Sequence, residues 1–336
     1  MKPLVSFVVP AYNMEETIDK CLVSIINQNY PKNKIEIIVI NDASTDKTYE
    51  IAKNILKKSK VKYKLLSNKK NMKIPFTSNV GINAASGKFI AYIDSDAILE
   101  KNWLIGVLPQ MEQKTVGAVA GFIRTANPEN FWARLAGYEL EWRYAQLRSE
   151  TIDHVSTTNT LYRKKALEDV KENGKYFDEN FHYGLDTDMS NRLRERGWKL
   201  IQLKNTCCFH YWKTSFRSYF KQCFNTGYAR LRLMKKYKKI MIDKVTTLKL
   251  SLQVPLMGLL LLNLFLSLFF NFFFLTSFLI SIGLLSMQIS RAVWVFRTKK
   301  DKTIAFLFPF LIQIRNFAVI FAILRYLFNK LRGMEK

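Results

Sequence analysis

Asp94 and Asp96 stand one residue apart at the end of a short apolar run, Phe89-Ile90-Ala91-Tyr92-Ile93. The run reads as a buried strand, bounded by Gly87-Lys88 before it and the acids after it. Side chains two apart on a strand share a face, so both carboxylates point the same way. Such charges repel unless a cation or hydrogen-bond donors lie between them. Ligands of open α/β sheets collect at the carboxyl ends of strands. The pair therefore suits a divalent metal able to hold a diphosphate, although Asp94-Ser95-Asp96 taken alone fits a turn and helix cap at least as well. A second acidic pair, in Gly184-Leu185-Asp186-Thr187-Asp188, opens a basic helix with Arg192, Arg194 and Arg196 that ends at Gly197. Its plain alternative is a helix N-terminus favoured by the dipole. A strand from Lys199 to Leu203 follows, then His210-Tyr211-Trp212.

The elements that must position these residues alternate. Val5 to Val9 is a strand closed by Pro10-Ala11-Tyr12-Asn13, and Ile18, Cys21, Leu22, Ile25 and Ile26 then fall at helical spacing. Ile35 to Ile40 is a second strand, ending at Asn41-Asp42-Ala43-Ser44-Thr45-Asp46. Ser44, Thr45 or Asp46 can cap the next helix, whose apolar face includes Ile51, Ile55 and Leu56. Lys62 to Leu66 is a third strand, residues 75–85 a helix, and Phe89 to Ile93 the fourth strand. This order predicts an α/β fold with a mostly parallel sheet and helices on both faces. Pro10, Asp42 and Asp94 would each lie just past a strand end, along the edge where nucleotides bind.

The 336 residues include 52 Lys and Arg against 27 Asp and Glu, a net charge of +25. That excess suits nucleic acid, anionic lipid or a phosphorylated substrate. Neither zinc-finger spacing nor an RNA-binding aromatic signature is present, so nucleic acid is not an expected partner. Cys21, Cys207, Cys208 and Cys223 lack paired metal spacing and fit a reduced cytosolic setting. The first strand has no apolar signal region before it, so nothing suggests secretion. Residues 131–149 form an amphipathic helix with Phe131, Trp132, Leu135, Tyr138 and Trp142, suited equally to covering the sheet or lying on a membrane. Residues 213–240 mix aromatics with Arg217, Lys221, Arg230 and Lys235, and are expected on an anionic bilayer surface.

Residues 250–270 and 272–290 are almost wholly apolar, each long enough to cross ~30 Å of hydrocarbon. A third apolar stretch, 303–328, is interrupted by Pro309 and Arg315-Asn316. It either spans or forms a kinked or re-entrant element, and an arginine there must face protein, water or a headgroup. The loop with Arg297, Lys299, Lys300 and Lys302 is expected in the cytoplasm, which places residues 1–245 there as well. If the third stretch spans, the basic tail with Arg325, Lys330, Arg332 and Lys336 lies outside. The expectation is a multi-pass protein of the cell membrane. Its parts are a cytosolic catalytic domain at 1–212, an interface segment at 213–245 and a membrane region at 246–336.

The motifs over residues 3–230 resemble, in order, those of family 2 glycosyltransferases, inverting enzymes of the GT-A fold that use nucleotide-sugars. Val8-Val9-Pro10-Ala11-Tyr12-Asn13 resembles the family's first strand and Pro-x-Tyr-Asn turn. Ile38-Val39-Ile40-Asn41-Asp42-Ala43-Ser44-Thr45-Asp46 resembles its Val-Asp-Asp-Gly-Ser-x-Asp segment, with Asn41 for the first Asp and Ala43 for Gly. Ser78-Asn79-Val80-Gly81 and Ala85-Ser86-Gly87 resemble the segment before Asp-x-Asp, with Lys73 where glycine is common. Residues 184–188 resemble Gly-Glu-Asp-x-Asp, with Leu185 for Glu. The resemblance implies nucleotide-sugar contacts from Pro10, Ala11, Tyr12, Asn13, Asp42, Asn79, Asp94 and Ser95. It implies a divalent metal, Mn²⁺ or Mg²⁺, on Asp96, and Asp186 as the catalytic base. His210 matches a histidine near the metal or diphosphate in some members, and metal ligand, diphosphate contact and structural roles stay open for it. A membrane-borne acceptor follows, either a hydroxyl on a lipid carrier or glycolipid, which needs a base, or a polyprenyl phosphate, which does not. The lack of Gln-x-x-Arg-Trp argues against long-polymer synthesis. A nucleotidyltransferase would want a Gly-rich loop after the first strand. A non-catalytic tethered scaffold would be favoured by Asn41, Ala43 and Leu185. Arg163, Arg217 and Lys221 are expected to be solvated or lipid-facing.

Overall fold

The computed structural model describes residues 2–239 and 242–334, so Ile240 and Lys336 lie outside it. The chain divides into two units, residues 1–126 with 147–211, and residues 127–146 with 212–336. The first unit is built on one sheet. Its strands are β1 (Val5–Ala11), β2 (Ile35–Asn41), β3 (Lys62–Ser67), β4 (Phe89–Ile93), β5 (Ala97–Leu99), β6 (Val116–Thr125), β7 (Thr151–Ile152), β8 (Asn159–Arg163) and β9 (Lys199–His210). They run in the order β3-β2-β1-β4-β8-β6-β9-β5, with β7 also on β9. β1 to β4 are mutually parallel, as their alternation with helices predicts. Beyond β4 the sheet is mixed: β8 runs antiparallel to β4 and β6, β6 pairs with β9 in parallel, and β5 lies antiparallel to β9.

The apolar runs explain the parallel half. Every residue of β2 is buried, as expected for a strand covered on both faces. β3 carries Lys62 and Lys64 along a half-exposed edge, which guards it against pairing with another chain. β1 is longer than its apolar run indicates, because Pro10 and Ala11 continue it. Asp42 N donates to Ala11 O at 2.8 Å, so the missing N–H of Pro10 faces the β4 side. There the ladder has already stopped at Val8 and Tyr92, and the proline costs no sheet hydrogen bond.

β9 also outruns its predicted end at Leu203 and carries the chain to His210. Its register to β6 shifts between Ala120 and Phe122, which absorbs the polar residues of the middle section. Arg163 is half-exposed and also has a structural role that the expectation did not include. Its guanidinium donates to Val116 O at 2.9 Å and Met111 O at 2.7 Å, tying β8 to the start of β6. Two positions where the resemblance expects glycine, Ala43 and Lys73, hold φ of 58° and 73°. The left-handed backbone is kept there although a side chain costs roughly 1–2 kcal/mol.

In the second unit, Asn130 caps the Phe131–Ala145 helix, its side chain accepting from Trp132 N and Ala133 N. The Phe216–Tyr237 helix lies along the Gln313–Leu331 helix, with Gly227 against Val319 and Asn329 Nδ2 donating to Tyr228 Oη at 2.8 Å. Part of the apolar face of this basic stretch is therefore covered by protein. Among the described residues, three helices are long and apolar enough to cross a membrane: Leu248–Leu266, Phe272–Lys299 and Lys302–Leu331. The third runs through Pro309 without ending. Phe269, Phe274 and Phe306 are each about two-thirds exposed or more, an apolar surface that lipid would cover.

Gly81 tests the packing of the first unit. A Cβ there would lie 2.4 Å from Ile40 Cδ1 and 2.5 Å from Val8 Cγ1, so glycine lets the Ile74–Ala84 helix approach the sheet. Gly81→Ala is expected to destabilise by about 1–3 kcal/mol, the usual cost of overpacking, read as a lower midpoint in denaturant.

Candidate active site

β4 ends at Ile93, and its last turn presents Asp94, Ser95 and Asp96. Ala97 N donates to Asp94 O at 3.0 Å and closes the turn. The helix Ile18–Ile26 holds it from one side. Thr17, at that helix's start, donates its hydroxyl to Ser95 O at 3.1 Å, and Cys21 Sγ lies 3.5 Å from Asp94 O. On the other side, Asp94 N donates to Thr158 O at 3.2 Å. β5 starts immediately afterwards and pairs Ala97 with His210 at the end of β9. Tyr211 N then donates to Asp96 O at 3.0 Å.

This pairing delivers the imidazole to the acids. His210 Nε2 lies 3.2 Å from Asp96 Oδ1. Asp94, Asp96 and His210 each offer a ligand atom, and the three atoms lie within 4.8 Å of one another. The donor set fits a divalent cation: carboxylates suit Mg²⁺ and Mn²⁺, and the imidazole is a further ligand on an open face. Burial pushes the Asp94 carboxyl up to about 6, helped by the neighbouring charge of Asp96 and opposed by His210. A site that penalises its own negative charge in this way gains most from a cation.

Asp186 begins another helix, Leu185–Glu195, just after Gly184, whose φ of 75° turns the chain into it. Its Oδ1 accepts from Thr187 N at 2.7 Å, and its Oδ2 lies 3.5 Å from His154 Nε2. Burial would raise this carboxyl, but the hydrogen bond and charge of His154 outweigh it and hold Asp186 below the ordinary carboxylate value. His154 was not singled out from the sequence. Its only signal there is scarcity, since the chain has three histidines. Asp188 pairs instead with Arg192 at 3.0 Å, and Arg192 also donates to Val170 O and Tyr176 O at 2.6 Å. That acid secures the helix. Leu185 is buried where the resemblance has Glu.

The other residues expected to contact a nucleotide-sugar lie at the ends of β1 and β2 and on the Ile74–Ala84 helix. Asn13, at φ 53°, accepts from Thr45 N at 2.9 Å, and its own N–H donates to Ser44 Oγ at 3.0 Å. The turns after β1 and β2 are thereby locked together. Asp42 is buried, and both its oxygens are engaged, by Asn68 Nδ2 at 2.7 Å, Met72 N at 2.8 Å and Lys73 N at 2.8 Å. Tyr12 stands exposed beside them. Asn79 clamps the segment before the Leu185–Glu195 helix: its Oδ1 accepts from Tyr176 N and Phe177 N, and its Nδ2 donates to Phe177 O at 2.9 Å.

A strand-end metal set of two acids and a histidine, in a sheet of this order, defines a GT-A glycosyltransferase fold. The family models agree. "Glycosyl transferase family 2" matches residues 6–171, and "Glycosyl transferase family group 2" matches residues 89–323. The chain belongs to the family 2 glycosyltransferases. A relative from Methanococcus voltae, dolichyl N-acetyl-alpha-D-glucosaminyl phosphate 3-beta-D-2,3-diacetamido-2,3-dideoxy-beta-D-glucuronosyltransferase, is 27% identical over 69% of this chain and 74% of its own. Glycosyltransferase AglE from Haloferax volcanii is 28% identical over 59% of this chain, which spans 64% of that relative. The mannosyltransferase PcManGT from Pyrobaculum calidifontis, solved with GDP-Man and Mn²⁺, shares the fold at a TM-score of 0.63 and 18% identity, covering 98% of this chain and 88% of its own.

Mn²⁺ binding should depend on Asp94. Its carboxyl titrates at about 6 and must lose its proton to act as a ligand, so affinity is full above that pH and lost below it. Titration calorimetry is expected to show affinity falling by roughly tenfold per pH unit below 6, with the slope reduced in Asp94→Asn. A pH-independent affinity would remove Asp94 from the set.

Proposed function

We propose that this enzyme is a membrane-bound inverting glycosyltransferase that moves a sugar from a UDP- or GDP-linked donor to a hydroxyl on a lipid-carried acceptor. The observation that carries this reading is the meeting of Asp94, Asp96 and His210 within one ligand shell, with an ionised Asp186 close enough to act on the Asp94 charge. Asp96, His210 and Asp94 would hold a Mn²⁺ or Mg²⁺, which would supply positive charge to offset that of a departing nucleoside diphosphate. Pro10, Ala11, Tyr12, Asn13, Asp42 and Ser95 line the nucleotide side, with Asn79 holding the 176–179 segment beside it. Asp186 accepts the proton of the attacking hydroxyl, a role that needs it charged at neutral pH. His154 holds it ionised. The Methanococcus voltae relative's name describes a sugar acceptor on dolichyl phosphate, which supports a hydroxyl acceptor on a lipid carrier. The three apolar helices and the basic loop 297–302 support a multi-pass protein with residues 1–245 on the cytoplasmic side.

The deciding experiment offers UDP- and GDP-sugars to detergent-solubilised protein with Mn²⁺ or Mg²⁺ and membrane lipid. Nucleotide release that requires metal, and that drops by roughly 10²–10⁴-fold in Asp186→Asn, is expected for a general base. Release that survives Asp186→Asn would point to a phosphate acceptor, and no consumption of any donor would overturn the reading. His154 gives a separate check. Because it holds Asp186 low, His154→Ala should leave the base protonated up to a higher pH and move the acid limb of the kcat/KM profile upward. An unmoved limb would deny the histidine its positioning role.

A further inference from the structure

The second unit buries more positive charge than it neutralises. Glu139, in the Phe131–Ala145 helix, accepts from Arg143 one turn on and from Arg315 of the third apolar helix. Arg315 also donates to Gln253 Oε1 at 2.7 Å, on the first apolar helix, and to Asn316 Oδ1 at 2.9 Å. Arg291, on the second apolar helix, is 3% exposed and lies 4.5 Å over the Trp142 ring. Its hydrogen-bond partner is the amide of Gln288, and among the described residues no carboxylate pairs with it. Burial would raise the Glu139 carboxyl, yet Arg143, Arg315 and Arg291 together hold it at about 2. Three guanidiniums thus face one carboxylate. The adjacent pairs Lys299 with Glu141 and Arg134 with Asp301 involve other acids and do not redress the balance.

The unsatisfied atoms in this cluster are donors. Nε of Arg143, Nε of Arg291 and Nε2 of Gln253 are buried with no hydrogen-bond partner, and Gln253 is wholly inaccessible. Buried donors without acceptors cost about 1–3 kcal/mol each, and more when charged. An uncompensated arginine inside an apolar helix is more costly still. The missing component is therefore an acceptor that is also an anion. Guanidinium forks match phosphate oxygens in pairs. A π-helical turn at Val295–Lys299 follows the Ile289–Trp294 segment that carries Arg291, a distortion frequent beside binding sites.

We propose that Arg143, Arg291, Arg315 and Gln253 bind the phosphate group of a membrane lipid. This rests on the membrane part of the function proposed above and not on the chemistry at Asp186. The phosphate could be that of a polyprenyl carrier or of a bulk anionic phospholipid, and the two are separable.

The test uses the full chain in a neutral, phosphate-free detergent, without donor or metal, and reads lipid retention by native mass spectrometry. The probes are dioctanoyl phosphatidic acid, farnesyl phosphate, inorganic phosphate and dioctanoyl phosphatidylcholine. One phosphate lipid retained per chain, with phosphatidylcholine not retained, is expected. Preference for farnesyl phosphate assigns the site to the carrier, and preference for phosphatidic acid to bulk lipid. Arg291→Gln should weaken retention by about tenfold, as loss of one charged hydrogen bond predicts. Arg291→Lys should keep much of it, and Glu139→Gln should strengthen it by removing the competing carboxylate. Retention that is indifferent to lipid charge, or unchanged in a folded Arg291→Gln, overturns the proposal. Inorganic phosphate competing as well as the lipids overturns its lipid half. No sugar transfer is read, so failure here and failure of the transferase reading are distinguishable.

Discussion

Negative charge concentrated where the strands end is the constraint on which the first unit depends. Asp96 and Asp186 lie near enough for their charges to act on Asp94, and carboxylates so placed disfavour one another's ionisation unless compensated. The fold supplies compensation unevenly. His210 stands against Asp96 and His154 against Asp186, and each imidazole favours the charged acid beside it. For Asp94, His210 and a hydrogen bond from Thr158 do not outweigh burial and the charge of Asp96, and its carboxyl is pushed up to about 6. The first unit thus holds Asp186 ionised and keeps near it a pair whose repulsion a divalent ion would relieve. Glu36 makes a useful contrast. Its side chain is wholly buried, but hydrogen bonds from Ser6 and Ser86 overcome its burial and hold it at about 2, so it serves as a structural tie.

Holding those charges requires rigid backbone, and much of the polar network serves that end. The acidic turn is pinned by Thr17 from one helix and Thr158 from the opposite side. Asp42 and Asn79 spend their side chains on the 68–73 and 176–179 segments. The positive φ at Asn13, Ala43 and Lys73 lies in these same turns, where surrounding hydrogen bonds over-determine the backbone. The second unit poses the opposite electrostatic problem. There Arg143 and Arg315 share Glu139, buried Arg291 pairs with no carboxylate among the described residues, and the excess is positive.

Much was legible in the amino-acid sequence because it is local. The parallel half of the sheet follows from continuous apolar runs alternating with helical patterns, and Asp94 and Asp96 fall at a strand end by counting. The three apolar helices follow from length and composition alone, since ~20 apolar residues suffice to cross hydrocarbon. Motif order identified the family, which the matched models bear out.

What the chain could not reveal by pattern is what distant segments do to one another. β9 has no unbroken apolar run after Leu203, so its continuation to His210 depends on pairing with β6 and β5, and that pairing alone brings His210 to Asp96. β8 enters antiparallel between β4 and β6, an arrangement that periodicity does not encode. His154 stands 32 residues before Asp186 with no motif around it, and only folding makes them neighbours. Arg163 looked like one more surface cation until folding brought the carbonyls of β6 and its approach to it. The sequence by itself determined element types, membrane-length segments and the acids, because those depend on neighbours along the chain. Which imidazole faces which acid, and which charges are left without a partner, was decided only in tertiary structure, because electrostatic energy depends on distance through space and on burial.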